Sequence, residues 1–194
     1  MSEIPPLYDG RTRDSWIEEL SAQYSWDVRH ALAAFSLLGL PKSFLDVGCG
    51  LGMIVEFANR MVIDAYGVDQ LAEDTKHFKN VNLVNAFDLK KKFSMVWCIE
   101  VAEHLDASAH ATLCDSLVRH LSEGRGNYLV FSSAYPNQGG TGHLSERPAK
   151  YWQDQFALRN LGFRKDLSVS LSLLWSHIDS PLFWLPANVM IFEN

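Results

Sequence analysis

The sequence predicts an α/β fold in which a doubly wound, mostly parallel sheet carries helices on both faces. Three observations support this prediction. Short apolar segments alternate with amphipathic helical segments along the chain. A Gly-rich turn directly follows the first apolar segment, and acidic residues follow the ends of other apolar segments. Such alternation is typical of parallel strands that are joined by crossover helices.

The N-terminal 40 residues are predicted to form an arm and a lid-like helical segment. Residues 1–12 contain prolines and an Asp-Gly pair, so we expect an extended arm there. Residues 14–38 carry apolar side chains at helical spacing, and a glycine and a proline end this helix. Its aromatic residues are candidates either to line a ligand pocket or to cover the core: Trp16, Tyr24 and Trp26.

The middle of the chain is predicted to alternate between strands and a helix. Residues 43–47 form a short apolar run that predicts the first strand. Residues 51–61 place four apolar side chains on one face of a helix. Strands are predicted at 62–68, 81–85 and 94–99, and the last of these is nearly all apolar, as a strand buried on both faces should be.

The C-terminal part is predicted to add two helices and three strands. Residues 106–121 carry leucines at i, i+4 and i+8 and leave through a glycine, which predicts a helix before a strand at 127–132. A helix is predicted over 148–162, because proline is favoured at a first helical position. Residues 163–173 and 188–193 are predicted strands with no clear helix between them, so we expect an antiparallel pair at one edge of the sheet.

A single domain accounts for the whole chain. Its 194 residues are 47% hydrophobic and 21% charged, which is too apolar for a disordered chain. At roughly 100–200 residues per domain, we expect residues 1–194 to form one domain. The chain has 17 basic and 23 acidic residues, so its formal net charge is −6. It lacks the basic footprint that binds duplex nucleic acid, and nucleic acid is therefore not an expected partner.

The cysteines and the apolar segments indicate a cytoplasmic protein. Cys49, Cys98 and Cys114 form no C-x-x-C pair, which argues against a disulfide framework and a thiolate zinc site. A reducing cytosol is the expected compartment. The N-terminus has no apolar signal core, and no apolar run approaches the roughly 18 residues that span a bilayer, so we expect no membrane partner.

The sharpest feature of the sequence is a glycine loop after the first predicted strand. Gly48, Gly50 and Gly52 stand at alternate positions, and the predicted helix begins at once. Glycine allows a tight turn and lets a ligand lie against the backbone, so the loop predicts a nucleotide or nucleoside site. The G-x-G-x-G spacing differs from that of dinucleotide binders. Asp46, just before the loop, would repel a pyrophosphate and suits a cationic group, which argues against a nicotinamide oxidoreductase.

Two further acids follow predicted strands. Asp69 comes about 20 residues after the loop, where a carboxylate can accept hydrogen bonds from two ribose hydroxyls. Asp88 follows the third predicted strand. Because the carboxyl ends of parallel strands meet at one edge of a sheet, we expect Asp46, Asp69 and Asp88 to share one site.

The segments LDVGCGLG, YGVD and WCIEVAEHLD, with the acid at Asp88, resemble class I S-adenosylmethionine-dependent methyltransferases. The resemblance implies a single-domain, Rossmann-like, seven-stranded sheet, mostly parallel with an antiparallel C-terminal edge strand, and S-adenosylmethionine as cofactor. It implies that the glycine loop holds the methionine moiety, that Asp69 holds the ribose and that Asp88 faces the adenine. The implied cofactor-binding residues are Asp46, Gly48, Cys49, Gly50, Gly52, Asp69, Gln70, Asp88 and Glu100.

The segment after the fourth predicted strand is a candidate metal site. Glu100, Glu103 and His104 can converge at the edge of the sheet with His143, which follows the fifth strand. Carboxylates with imidazole suit Mg²⁺ or another divalent metal. The pattern resembles two metal-assisted branches of the family, the 3′-terminal RNA 2′-O-methyltransferases and the ubiquinone-pathway O-methyltransferases. The alternative is that this segment only caps and packs a helix without any metal.

Residues 133–146 form a polar, Gly-rich loop that is too long for a simple connector. We expect it to face the substrate, with His143 and Glu100 as catalytic residues on the acceptor side. Neutral imidazole accepts a hydroxyl proton near pH 7, so His143 is a candidate general base. The other two interpretations make His143 a metal ligand or a residue that orders the loop.

Together these features predict an S-adenosylmethionine-dependent methyltransferase that acts on a small-molecule or sugar hydroxyl. The alternatives are an RNA 2′-O-methyltransferase or an N-methyltransferase. An alternative from a different class is a non-catalytic S-adenosylmethionine-binding partner or regulatory protein, which would not need Glu100, Glu103, His104 and His143.

Overall fold

The computed structural model describes residues 28–194 and, ahead of them, Glu18. These residues form one seven-stranded sheet with the strand order β3-β2-β1-β4-β5-β7-β6, mostly parallel, with β7 antiparallel to its neighbours β5 and β6. The strands are β1 Ser43–Val47, β2 Asp64–Asp69, β3 Phe78–Asn80, β4 Met95–Cys98, β5 Tyr128–Phe131, β6 Gly162–Phe163 and β7 Met190–Glu193. The predicted doubly wound α/β fold with an antiparallel C-terminal strand is therefore confirmed.

Helices cover both faces of the sheet. They are α1 over residues 28–38, α2 Met53–Arg60, α3 His110–His120, α4 Ala149–Ala157, α5 Lys165–Ser176 and α6 Leu185–Asn188. Two short 3₁₀ turns, Ala102–His104 and Ala107–Ala109, precede α3. The arm at 1–12 and most of the predicted helix at 14–38 lie outside the described residues. None of the described helices is long and apolar enough to cross a bilayer.

The core consists of two apolar layers, one on each face of the sheet. Leu45 and Phe44 are neighbours in β1 and are both fully buried, but they belong to different layers because side chains alternate across a strand. One layer packs the sheet against α3 and α4, and the other packs it against α1, α2 and α5. The sheet is thus buried on both faces, which leaves its carboxyl edge as the place for a ligand.

The third strand lies earlier than the sequence predicts. The prediction of a strand at 81–85 was wrong, because β3 is Phe78–Asn80, which pairs in parallel with Gly67–Asp69. Asn82 forms a turn instead: its side-chain oxygen accepts from Val84 N at 3.1 Å, and its carbonyl accepts from Asn85 N. Asparagine favours such local hydrogen bonds over a ladder.

The predicted strand at 163–173 was also wrong. β6 contains only Gly162–Phe163, and α5 occupies Lys165–Ser176. Serines alternate with apolar residues in this segment and imitate a strand period, but Leu171 and Trp175 are buried one helical turn apart. The hydroxyls of Ser168 and Ser170 donate hydrogen bonds to backbone carbonyls four residues earlier. These serines therefore find hydrogen-bond acceptors locally and are compatible with a helix.

Candidate active site

A cavity of about 560 Å³ opens at the carboxyl edge of the sheet, beyond the ends of β1, β2 and β4. Open α/β sheets bind ligands at this edge. The cavity brings together ten of the residues predicted from the sequence. They are Asp46, Gly48, Cys49, Gly50, Asp69, Gln70, Glu100, Glu103, His104 and His143.

The glycine loop after β1 adopts a backbone that other residues would strain. Gly48, Gly50 and Gly52 have φ angles of 81°, 53° and 82°, in the left-handed region that favours glycine. Gly52 does not line the cavity, and its role is packing: a Cβ there would lie 2.2 Å from the ring of Phe78. The loop is therefore shaped partly by contact with β3.

Asp69 holds the glycine loop against the end of β2. Its carboxylate accepts from Gly50 N at 3.0 Å and from Leu71 N at 2.8 Å. Burial raises the pKa of Asp69 to about 6, although the backbone donors favour the ionised form. A role of Asp69 in forming the loop was not predicted from the sequence, and its role as a ribose ligand stays a prediction.

Asp46 and Cys49 complete the cofactor side of the cavity. Asp46 is only 4% exposed, although a charged side chain is seldom buried. Burial, with Asp46 and Asp69 close by, raises the pKa of the Cys49 thiol well above its ordinary value. Cys49 therefore acts as a packed thiol rather than a reactive thiolate, and a Cβ at Gly67 would lie 2.7 Å from its Sγ.

Asp88 does not join Asp46 and Asp69, which corrects the expectation that the three acids share one site. It is not among the residues that line the cavity. Its carboxylate accepts from Lys90 N at 2.8 Å and Lys90 Nζ at 2.6 Å, and these hydrogen bonds lower the pKa of Asp88. The physical reason is the position of β3, which ends at Asn80 rather than Asn85. Leu83 lines the cavity in its place.

Glu100 faces the cavity from a strained backbone, with a φ of 52°. Its N–H donates to Ser132 Oγ at 3.0 Å, and its Oε1 accepts from that hydroxyl at 2.7 Å and from Asn188 Nδ2 at 3.2 Å. Asn188 Nδ2 also donates to Gln138 Oε1 at 2.9 Å. Sequence reasoning missed Ser132, Gln138 and Asn188. The only signal in the sequence was that the predicted fourth and fifth strands should be neighbours, which would bring a residue just after β5 close to Glu100. The structure shows this pairing.

His143 lines the cavity and forms a pair with Glu146. Its Nδ1 lies 2.9 Å from Glu146 Oε1. A carboxylate only accepts, so Nδ1 carries a proton, and in the neutral imidazole Nε2 then has the lone pair. Glu146 also accepts from Asn137 N and Gly139 N, and the bond from His143 lowers the pKa of Glu146. Glu146 was not predicted, although its i+3 spacing from His143 is visible in the sequence.

Three of the four predicted metal ligands come together, and His143 is one of them. Glu103, His104 and His143 each offer a ligand atom, and these atoms all lie within 4.8 Å of one another. The two imidazole rings meet edge to face at 5.1 Å, and His104 Nδ1 donates to the carbonyl of Gly142. Glu100 is not part of this group, because its carboxylate is engaged by Ser132 and Asn188.

The chemistry of this group fits a divalent cation. Glu103 is fully buried, and its carboxyl oxygens make no hydrogen bond of good geometry, although the Ala134 N–H and the Ser133 hydroxyl lie near enough to favour its ionised form. Burial and the neighbouring Glu100 raise the pKa of Glu103 well above its ordinary value. A buried carboxyl needs a proton or a cation, and each imidazole is oriented through Nδ1 by a carboxylate or a carbonyl, as metal-ligating histidines usually are.

Solved structures of known proteins share the fold of this chain. The KedS8 sugar N-methyltransferase from Streptoalloteichus sp ATCC 53650 has a TM-score of 0.66 at 14% identity, over 95% of this chain and 93% of that chain. The amino pentose methyltransferase CalS10 from Micromonospora echinaspora, solved with S-adenosylmethionine bound, has a TM-score of 0.65 at 14% identity, over 94% of this chain and 97% of that chain. At this identity the likeness shows the fold alone.

A family model identifies the family, and a sequence relative matches part of the chain. The ubiquinone biosynthesis O-methyltransferase of Rhodopseudomonas palustris (strain TIE-1) is 30% identical over 105 residues, which cover 47% of this chain. The match spans 40% of that relative's length. The family model described as a methyltransferase domain matches residues 18–165, well over half of the chain. The chain therefore belongs to the methyltransferase domain family.

Proposed function

We propose that this protein transfers a methyl group from S-adenosylmethionine to a hydroxyl of a small molecule or sugar. The observation that carries the proposal is the His143–Glu146 pair, which faces the same cavity as the glycine loop and Asp69. An oriented imidazole beside a nucleoside-type loop is the arrangement that a hydroxyl acceptor needs, because the hydroxyl must lose its proton. The name of the ubiquinone-pathway relative supports an oxygen acceptor.

The roles of the residues follow from their contacts. When bound, S-adenosylmethionine supplies a methyl group that its sulfonium activates. The backbone of the glycine loop and the Asp69 carboxylate bind the donor, and Asp69 accepts hydrogen bonds from the ribose hydroxyls. Nε2 of His143 would accept the acceptor's hydroxyl proton, so that the hydroxyl oxygen takes the methyl group, the methyl–sulfur bond breaks and neutral S-adenosylhomocysteine leaves. Glu146 stabilises the resulting imidazolium through Nδ1.

The charge of the cavity supports a small acceptor without phosphates. Among the described residues that line it, four are acids, Asp46, Asp69, Glu100 and Glu103, and none is lysine or arginine. A nucleic-acid backbone would meet repulsion here rather than the usual basic contacts. This argues against the RNA 2′-O-methyltransferase alternative.

We further propose a cytoplasmic location, because Cys49, Cys98 and Cys114 are free thiols, the state that a reducing compartment maintains.

The test is S-adenosylhomocysteine release from S-adenosylmethionine in the presence of pools of hydroxylated small molecules. We expect release that depends on one of the pools and on His143. A protein that binds S-adenosylhomocysteine tightly but releases none with any pool would instead be a non-catalytic binding partner. Transfer to the nitrogen of an amine, identified by mass spectrometry of the product, would support the N-methyltransferase alternative.

A metal-assisted reaction is the second candidate, and the unpartnered buried carboxyl of Glu103 favours it. Glu103, His104 and His143 would hold a divalent cation such as Mg²⁺, which would polarise the acceptor hydroxyl. Dialysis against EDTA separates the candidates. Activity that is lost with EDTA and restored by Mg²⁺ or Mn²⁺ supports the metal, whereas activity insensitive to EDTA but lost in His143→Ala supports the base.

A further inference from the structure

The acceptor side of the cavity carries one acid that neither the donor site nor the metal-ligand group requires. Asp46 and Asp69 lie beside the glycine loop, and Glu103 belongs to the group with His104 and His143. Glu100 stands apart from both sets, two residues beyond the end of β4. No lysine or arginine among the described lining residues neutralises it. A charged side chain in such a place calls for a partner of opposite charge.

The protein holds the Glu100 carboxylate in one orientation. The left-handed backbone at Glu100, rare outside glycine, turns its side chain toward the cavity, and such conformations concentrate at functional sites. Ser132 and Asn188, which are 0% and 5% exposed, both donate hydrogen bonds to the carboxylate, as a carboxylate requires. Asn188 is held in turn by Gln138. The carboxylate is therefore pre-oriented before any acceptor arrives.

Aromatic side chains line the same cavity as this carboxylate. Two of the lining tryptophans, Trp97 and Trp175, are rigidly packed with exposures of 2% and 1%, and their rings lie 5.8 Å apart. The other lining aromatics are more accessible and come from the loops on either side: Tyr135, Phe183 and Trp184. The faces of aromatic rings attract ammonium groups, most strongly where water is excluded. The Glu100 carboxylate and the accessible rings of Tyr135, Phe183 and Trp184 thus line one cavity, and both kinds of group attract cations.

We propose that the acceptor is an amino alcohol, whose protonated amine binds the Glu100 carboxylate and the aromatic walls while its hydroxyl lies toward His143. This assignment rests on the proposed function, because it places the amine on the acceptor side of the same cavity. It makes Glu100 a specificity-determining residue rather than a metal ligand. It also explains why Ser132 and Asn188 orient a carboxylate that the metal-ligand group leaves out.

The test compares matched probes that differ by one charge. The pairs are trans-2-aminocyclohexanol with trans-cyclohexane-1,2-diol, 2-amino-1-phenylethanol with 1-phenylethane-1,2-diol, and glucosamine with glucose. Each probe is titrated at pH 7 by ligand-observed NMR into full-length protein saturated with S-adenosylhomocysteine. We expect the amine of at least one pair to bind about tenfold more tightly than its diol, as for a hydrogen bond to a charged group.

The matched variants are Glu100→Gln and Glu123→Gln. In Glu100→Gln the side-chain amide can still accept from Ser132 and keeps the side-chain volume. We therefore expect this variant, titrated at saturating S-adenosylhomocysteine, to lose the preference for the amine. Glu123 is 87% exposed and pairs with Lys92, away from the cavity. Its variant changes net charge equally, and we expect it to keep the preference.

The outcomes separate this inference from the proposed function. If the wild type does not bind S-adenosylhomocysteine by calorimetry, the proposed function fails, and the acceptor assignment fails with it. If it binds S-adenosylhomocysteine but no amine is preferred over its diol, the acceptor assignment alone is overturned. Retention of the preference in Glu100→Gln, or its loss in Glu123→Gln, would likewise overturn the role of Glu100.

Discussion

At the scale of single residues, Asp69 links the binding of a ligand to the shape of the loop that receives it. Its two carboxylate oxygens are held by Gly50 N and Leu71 N, on opposite sides of the end of β2. We expect Asp69→Ala to weaken S-adenosylhomocysteine binding by about tenfold or more, since it removes a charged hydrogen-bond acceptor and releases the loop. Calorimetric affinity equal to that of the wild type would exclude Asp69 from the donor site.

The raised pKa of Asp69 makes a pH dependence of binding testable. If Asp69 binds the ribose as proposed, its ionised carboxylate is the form that accepts from both hydroxyls, and burial raises its pKa to about 6. Protons therefore compete with the ligand below that pH. We expect S-adenosylhomocysteine affinity to be constant above about pH 7 and to fall by about tenfold for each pH unit below the pKa. The same titration of Asp69→Ala should lack this fall.

His143 and Glu146 supply the third residue-scale prediction. His143→Ala should lower turnover by about a hundredfold or more, because it removes the proposed proton acceptor. Glu146→Gln should lower turnover less, since the imidazole remains but loses its charged partner. S-adenosylhomocysteine affinity should stay close to the wild-type value in both variants, as neither residue belongs to the glycine loop. Wild-type turnover in His143→Ala would leave His143 as a loop-ordering residue only.

At the scale of elements, the start of α2 depends on a contact with β3. Gly52 precedes α2 with a φ of 82°, and a Cβ there would lie 2.2 Å from the Phe78 ring. Gly124, by contrast, has a φ of 91° and open space around it. Gly124→Ala should therefore cost only the backbone strain, about 1–2 kcal/mol of unfolding free energy.

Gly52→Ala should cost the same strain and, in addition, about 1–3 kcal/mol for displacement of the Phe78 ring. Chemical denaturation of the two variants measures this difference directly. Because Gly52 belongs to the glycine loop, whose Gly48 and Gly50 line the cavity, we also expect weaker S-adenosylhomocysteine binding in Gly52→Ala but not in Gly124→Ala. Equal destabilisation by the two substitutions would mean that the ring moves aside without cost.

At the scale of the whole molecule, Glu103 couples the stability of the fold to pH. Burial raises its pKa in the folded protein, so the folded state binds more protons than the unfolded state above the ordinary pKa of about 4.3. The free energy of unfolding consequently falls as the pH rises above about 4.3, by up to about 1.4 kcal/mol per pH unit, until Glu103 ionises in the folded protein as well. In Glu103→Gln this loss is absent, because the amide does not ionise.

We therefore expect Glu103→Gln to gain stability relative to the wild type as the pH rises from about 5 to about 8, in the presence of EDTA. Thermal or urea unfolding at several pH values measures the gap between the two proteins. Mg²⁺ or Mn²⁺ in place of EDTA should stabilise the wild type alone if Glu103 holds a metal. A gap that is constant across this pH range would show that Glu103 carries its charge in the folded state.

Local patterns in the sequence determined the order of most elements and the identity of the glycine loop. The alternation of apolar runs with helical periods indicated the sheet, and glycines at 48, 50 and 52 marked the loop after β1. These inferences succeeded because they depend on neighbours within a few residues. They failed at 81–85 and 163–173, where asparagine and serine side chains form local hydrogen bonds that a pattern of apolar residues does not reveal.

Only the tertiary structure decided which predicted residues meet. Cys98 pairs with Phe131 in adjacent parallel strands, and this register brings Glu100 to Ser132, while the return of the chain through α6 adds Asn188. The early end of β3 excludes Asp88 and brings Leu83 to the cavity. Local sequence patterns do not predict these contacts, because strand register and loop closure depend on the packing of the whole sheet rather than on adjacent residues.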